Sequence, residues 1–209
     1  MTTEKIDNDL FLLVLQHPQE KTEMLATVPL LEADLANMRK AIGLSWPNLA
    51  RALGRDSDPK SWGVLYLGSA KPGDAPITAV DAKGVALKDQ RVLEGLEGII
   101  ALDGTWSQAK ALWWRNPWML KCRRVVLGPK RPSRYGKLRR EPRRDGLSTI
   151  ESAGMLLSRL EQKPEIEDRL NESFERLLAR YREMSPTPAK TATTPRRDFR
   201  RRNKRVKPA

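Results

Sequence analysis

One cysteine and one histidine stand in 209 residues, and that scarcity removes whole classes of protein. Cys122 alone can form no internal disulfide and build no cysteine zinc site. His17 has no second His or Cys near it in the chain, so no metal is expected. Long apolar runs are also missing: the longest candidate, Leu10–Leu15, falls far short of a membrane span. The first residues, Met-Thr-Thr-Glu-Lys, carry no basic stretch leading into an apolar one, so no secretory signal is expected. A reducing, cytoplasmic setting and no membrane partner follow as expectations. The chain has neither a Gly-x-Gly-x-x-Gly run after a strand nor a Gly-Lys-Ser/Thr loop, which argues against nicotinamide enzymes and P-loop ATPases.

What the chain does have is unevenly placed charge. The net charge is +13. Lys121–Arg144 holds eleven Lys/Arg and one acid, and Pro186–Ala209 holds nine Lys/Arg and one acid, leaving −5 for the remainder. A mildly acidic domain with a basic band and a basic tail presents focused positive potential, and a nucleic acid is the polyanion it fits first. Arg131, Arg134, Lys137, Arg139 and Arg140 in the band are candidate RNA contacts. So are Arg196, Arg197, Arg200, Arg201, Arg202, Lys204 and Arg205 in the tail, which would grip phosphates without reading bases. The tail lacks a hydrophobic face and is expected to be disordered when free. The expected division is therefore a domain over 1–185 and a tail over 186–209.

Apolar patterning predicts alternating strands and helices. Leu10–Leu15, Trp62–Leu67, Ile99–Leu102 and Arg124–Leu127 read as strands, with a short one at Ile77–Val80. Val28–Ile42 has helical spacing through Leu31, Leu35, Met38 and Ile42, and Leu87–Leu96 reads as a short helix. Trp106–Asn116 is a helix stopped by Pro117, and Ser148-Thr-Ile-Glu151 is a capping box opening a helix through Leu160. Ile166–Met184 is a terminal helix with Leu170, Phe174, Leu177, Leu178 and Tyr181 inward. Residues 128–147 form a long basic loop. Alternation of this kind means an α/β domain with a mostly parallel sheet flanked by helices.

The run Gly98-Ile-Ile-Ala-Leu-Asp-Gly-Thr-Trp106 is the most informative stretch. An apolar strand ends abruptly in Asp103-Gly104-Thr105-Trp106 and a helix follows at once. Ligands of parallel sheets bind outside the carboxyl ends of the strands, so a carboxylate and an indole there mark a crevice. Thr105-x-x-Gln108 and Ser148-x-x-Glu151 are also capping boxes, and for Ser148 and Glu151 the structural role comes first. Core filling is the rival reading of Trp106, and Trp113, Trp114 and Trp118 read the same way.

With these motifs in view, the chain resembles the DTW-domain proteins, tRNA-uridine aminocarboxypropyltransferases related to a ribosomal RNA enzyme and to SPOUT methyltransferases. The resemblance rests on Gln16-His17-Pro18-x-Glu20 with Thr27 and Leu30-Leu31, on Asp103-Gly104-Thr105-Trp106, on Ser133-x-Tyr135-x-x-Leu138-Arg139-x-x-Pro142, and on Leu147-Ser148-Thr149-x-Glu151-Ser152. It implies a SPOUT-like fold with a C-terminal trefoil knot. It implies transfer of the 3-amino-3-carboxypropyl group of S-adenosylmethionine, as co-substrate, to N3 of a tRNA uridine, with methylthioadenosine released. Asp103 and Trp106 would then be catalytic, Asp103 orienting the aminocarboxypropyl group or removing the N3 proton, and Trp106 facing the sulfonium. Thr27, Thr105, Ser133, Tyr135, Leu138, Ser148, Thr149 and Glu151 would complete the donor pocket, with Tyr135 and Arg139 bridging donor and RNA. The cysteine cluster that opens many family members is missing here, which puts substrate choice in question more than chemistry. The same chemistry on ribosomal RNA, and a non-catalytic RNA-binding or assembly role, are the alternatives. Nothing in the chain marks a homodimer interface, so a monomer is expected.

Overall fold

A computed structural model describes residues 4–68, 75–128, 131–136, 138 and 146–184. Lys137, Arg139, Arg140, Pro142 and the whole of 186–209 lie outside the described residues. The sheet has six strands: β1 (Phe11–Gln16), β2 (Met38–Ile42), β3 (Trp62–Leu65), β4 (Ile77–Val80), β5 (Gly98–Asp103) and β6 (Arg123–Leu127). Their spatial order is β2-β1-β5-β3-β6-β4, all parallel except β4, which runs antiparallel to β6 at the edge. Among the described residues five α-helices accompany them: α1 (Val28–Asp34), α2 (Leu49–Leu53), α3 (Trp106–Arg115), α4 (Thr149–Glu161) and α5 (Pro164–Met184). The expected mixed α/β architecture is present.

Strand residues are apolar on both faces because helices cover both. Alternate residues feed two cores. Leu12, Val14, Ile99, Ala101 and Val125 meet α1, α4 and α5 on one side. Leu13, Leu15, Trp62, Val64 and Ile100 pack with Leu49 and Leu53 of α2, Trp113 of α3 and Trp118 on the other. The helix α4 is buried through Ile150–Ser158, because α5 lies over it. Each fully buried Leu or Ile contributes about 1.5–3 kcal/mol, so these two layers supply the main driving force. Gly98 opens β5 where an added Cβ would lie 2.4 Å from the Phe11 carbonyl oxygen and 2.6 Å from the Trp62 ring. Only glycine allows strand and indole to approach so closely. At the far end of α4, Glu161 accepts hydrogen bonds from Asp9 N at 2.9 Å and Leu10 N at 3.0 Å, tying that helix to the entry of β1.

The expected helix over Val28–Ile42 is corrected. It ends at Asp34, and Met38–Ile42 is the edge strand β2. Leu35 turns extended, and the peptide groups nearby bond elsewhere: Ile6 N donates to Asp34 O and Ala36 N to Ile6 O. The fully buried Asn8 side chain accepts from Asn37 N and donates to Asn37 O, fixing the turn. Of the expected stripe, Met38 packs on the same core as Leu31 and Leu35, whereas Ile42 is exposed at the sheet edge. The helix expected at Leu87–Leu96 shrinks to a 3-10 turn, Gln90–Leu93, and the strand expected to reach Leu67 ends at Leu65. Helix α2 was not anticipated; Asn48 caps it by accepting from Arg51 N.

Candidate active site

Parallel strands β1 and β5 are neighbours in register, and their last residues, Gln16 and Asp103, lie side by side. The Gln16 amide donates to Asp103 Oδ2 at 2.8 Å. From across the sheet edge the Thr149 hydroxyl donates to Asp103 Oδ1 at 2.5 Å. Backbone joins the same place, since His17 N donates to the Asp103 carbonyl at 2.9 Å. Asp103 is buried, and an ionised carboxylate accepts about four hydrogen bonds. The two side-chain donors therefore leave acceptor capacity on a fixed, buried carboxyl group.

The chain turns sharply beyond Asp103. A Cβ on Gly104 would lie 2.8 Å from Gln108 Cβ, so a larger residue would push α3 away. Thr105 caps α3 with a full capping box: its hydroxyl accepts from Gln108 N at 3.4 Å, and Gln108 Oε1 accepts from Thr105 N at 2.6 Å. The capping reading of Thr105 thus holds geometrically. Trp106 stands on the first turn, half-buried, with Lys110 Nζ 5.6 Å from its ring centre. His17 caps the turn at Pro18–Thr22, its Nδ1 accepting from Gln19 N at 3.3 Å.

A second carboxylate organises the other motifs. Buried Glu151 accepts from Ser148 N at 2.9 Å, Ser148 Oγ at 2.6 Å, Ser133 Oγ at 2.6 Å and Arg134 N at 2.8 Å. The Arg134 guanidinium lies 3.6 Å from it and reaches Glu175 of α5 at 3.2 Å. Ser133, Arg134, Ser148 and Glu151 are thus one fastener holding the basic loop to α4 and α5. Tyr135 is buried edge-on against Phe174, and its hydroxyl donates to Leu25 O at 2.8 Å. That bond brings the third motif onto the segment leading to Thr27, a buried residue starting α1 whose side chain makes no capping bond. Leu138 is partly buried against the same core. Arg131, Arg134 and Arg159 line a cleft of about 210 Å³ with Glu151, Met155 and Asn171.

The structure therefore joins Asp103 to Thr149 directly, sets Thr105 and Trp106 one step beyond, and gathers Ser133, Ser148 and Glu151 around a separate centre. Gln16 was quoted as part of a motif without a role; its place at the end of β1, in register with Asp103, is the signal that assigns it one. Trp114 is corrected: it is 78% exposed, whereas Trp113 and Trp118 are buried as expected. Among the described residues no group of three or more His, Cys, Asp or Glu is placed to hold a metal ion. None of their helices is long and apolar enough to cross a membrane.

A buried carboxylate held at the carboxyl edge of a parallel α/β sheet stands where ligands of such sheets bind, and this is the class of scaffold the fold defines. The family follows from comparison. The DTW domain pattern matches residues 2–182, and the chain belongs to the DTW family. Among curated proteins it is similar to "tRNA-uridine aminocarboxypropyltransferase 2" of Mus musculus, at 32% identity over 165 residues, covering 76% of this chain and 50% of the relative. The proteins of that name from Macaca fascicularis and Drosophila melanogaster are each 29% identical, covering 76% of this chain and 50% and 59% of themselves. The chain thus spans little more than half the length of these relatives. No solved structure matches it.

Proposed function

We propose that this protein transfers the 3-amino-3-carboxypropyl group of S-adenosylmethionine to N3 of a uridine in tRNA. The observation that carries the reading is Asp103: a buried carboxylate with acceptors to spare, three residues before Trp106, inside the span that matches the family. The names of the relatives support tRNA as acceptor and aminocarboxypropyl as the group moved. In the reaction, uridine N3 gives up its proton and bonds to the methionine Cγ. The Cγ–sulfur bond breaks with its electron pair going to sulfur, and neutral methylthioadenosine leaves. The sulfonium is already a good leaving group, so the protein's task is placement: Cγ, not the methyl group, must face the nitrogen. Asp103 accepts from the ammonium of the donor's amino-acid arm, and Gln16 and Thr149 keep the carboxylate aimed. Trp106 offers its face to the sulfonium. The proton leaves to Asp103 or to solvent.

On this reading the basic band and the tail at 186–209 hold RNA phosphates while the domain at 1–185 performs the chemistry. A SPOUT-like knot belongs to the same proposal, as do a monomeric state and a cytoplasmic setting. The test is incubation with S-adenosylmethionine labelled in the aminocarboxypropyl group and, in parallel reactions, bulk tRNA or ribosomal RNA, followed by nucleoside analysis. Label in 3-(3-amino-3-carboxypropyl)uridine is the expected result. Label absent from tRNA but present in ribosomal RNA transfers the reading to that acceptor, and label in neither rejects it.

A further inference from the structure

Helix α3 leads from the candidate site to an indole that packing does not explain. Trp114 is 78% exposed, while its neighbours Leu112 and Trp113 fill the core beneath the sheet. At 100° per residue, Trp106, Lys110 and Trp114 fall within one 80° arc of the helix, which borders buried Trp113 and Ala109 on its Trp106 side and lies opposite Leu112. Lys110 is exposed and lies over the Trp106 ring. The chain from Gly104 to Arg124 contains Lys110, Arg115, Lys121, Arg123 and Arg124 and no acidic residue, with Asp81 facing Arg124 and Asp58 near Cys122 from other elements. Lys110, Arg115, Lys121 and Arg123 are exposed. The helix end that carries Trp114 is also fixed in place. Ser45 Oγ donates to Arg115 O at 2.9 Å, Asn116 Nδ2 donates to Leu44 O at 3.1 Å, and Trp46 N donates to Asn116 Oδ1 at 2.8 Å.

We infer that Trp114 is a stacking platform for an unpaired nucleotide of the RNA substrate, with Lys110 and Arg115 taking the adjoining phosphates. The inference rests on the proposed transferase reading. A rigid, exposed indole with exposed Lys110 and Arg115 on the same helix suits a base with its backbone, because every base has a π-face and every phosphate a charge. Trp114 lies eight residues beyond Trp106, or about 12 Å along the helix. That is the length of about three to four stacked nucleotides at roughly 3.4 Å each. On that spacing the base on Trp114 belongs to the same strand as the target uridine, about three to four nucleotides from it. Trp114 is a positioning and specificity residue and takes no part in the bond changes.

The test uses the full chain as wild type, Trp114→Ala, Trp114→Phe and Trp114→Leu, with unmodified bulk tRNA. Two readouts are taken: equilibrium tRNA binding by filter retention, and transfer kinetics from labelled S-adenosylmethionine. The Ala and Leu variants should bind tRNA about ten-fold more weakly and raise KM for tRNA by the same factor, with kcat within about two-fold. Phe, which keeps a ring, should recover most of the loss. Normal tRNA binding and KM in the Ala variant would overturn the inference. So would a wild-type dimer in sedimentation that the Ala variant dissolves, since the face would then belong to a second copy. Should wild type transfer no label yet lose tRNA affinity on Trp114→Ala and regain it on Trp114→Phe, the platform stands and the transferase reading falls.

Discussion

Two buried carboxylates lie on either side of the first turn of α4, and they are treated differently. Glu151 is saturated: two serine hydroxyls, two backbone amides and a guanidinium surround it. Asp103 receives two side-chain donors, Gln16 and Thr149, and keeps capacity for more. A fully satisfied buried carboxylate is a fastener, since it has nothing left to offer a ligand. One that is aimed but unsaturated is poised for a partner that arrives later. Neighbouring residues of one turn, Ser148 and Thr149, serve the two centres separately, so stability and ligand capacity are divided between adjacent hydroxyls.

The strongest test of that division is Asp103→Asn. The Thr149 hydroxyl can rotate to accept from the new amide, so the fold survives and Tm should stay within about 4 °C of wild type. The charge, however, is gone, and kcat/KM for transfer to tRNA should fall about 10²- to 10³-fold. Near-normal turnover would remove Asp103 from the chemistry and erase the contrast.

Glu151→Ala should fail in the opposite way. It strands the Ser148 and Arg134 amides, frees the Arg134 guanidinium and breaks the capping box, at a cost of about 3 kcal/mol. Thermal melting should fall by about 6–12 °C. Glu151→Gln, which keeps part of the network, should retain kcat/KM within about three-fold at low temperature. A stable Gln variant whose turnover falls a hundredfold would make Glu151 a ligand residue as well.

Much of this contrast was legible in the chain, in unequal measure. Asp103 could be placed at a sheet edge because an apolar run, a glycine and a capping threonine follow one another there. The capping box at Ser148 fixed the start of α4. Gln16 could not be assigned from the chain, because its role depends on β1 and β5 being neighbours although more than eighty residues separate them. The strand β2 was hidden for a related reason. Met38 and Ile42 continue a helical spacing, and only pairing with β1 turns that stretch into a strand. Trp114 escaped because a tryptophan is more often buried, and a helix stop at Pro117 says nothing about which face is wet.

Thr149→Val sharpens the comparison from inside the turn. Valine keeps the shape and drops the hydroxyl, leaving Asp103 held by Gln16 alone. Transfer should fall about ten-fold, because removing one aiming bond of about 1.5 kcal/mol loosens the carboxylate without discharging it. In the Asp103→Asn background the same change should cost little further, since the two residues act as a unit. Independent, additive losses would mean that Thr149 works on something other than Asp103.

Cys122 completes the series as a buried ionisable group with no donors organised around it. Burial pushes its thiol from about 9.0 up to about 12, with the nearby Asp58 adding to the effect and Arg124 opposing it. The folded pKa is raised, so the thiol's contribution to stability is whole below pH 9 and is lost as pH rises toward 12. In that window the unfolded chain ionises and the folded one does not. At neutral pH both states hold the proton, so stability does not vary with pH there, and Cys122 should resist iodoacetamide until the protein unfolds. Melting curves of wild type and Cys122→Ala should run parallel up to pH 9 and converge or diverge steadily above it, with the wild type losing more. Rapid alkylation of the native protein at pH 8 would show that the region beneath β6 opens to solvent, and that burial alone is too weak there to hold a group in its neutral form.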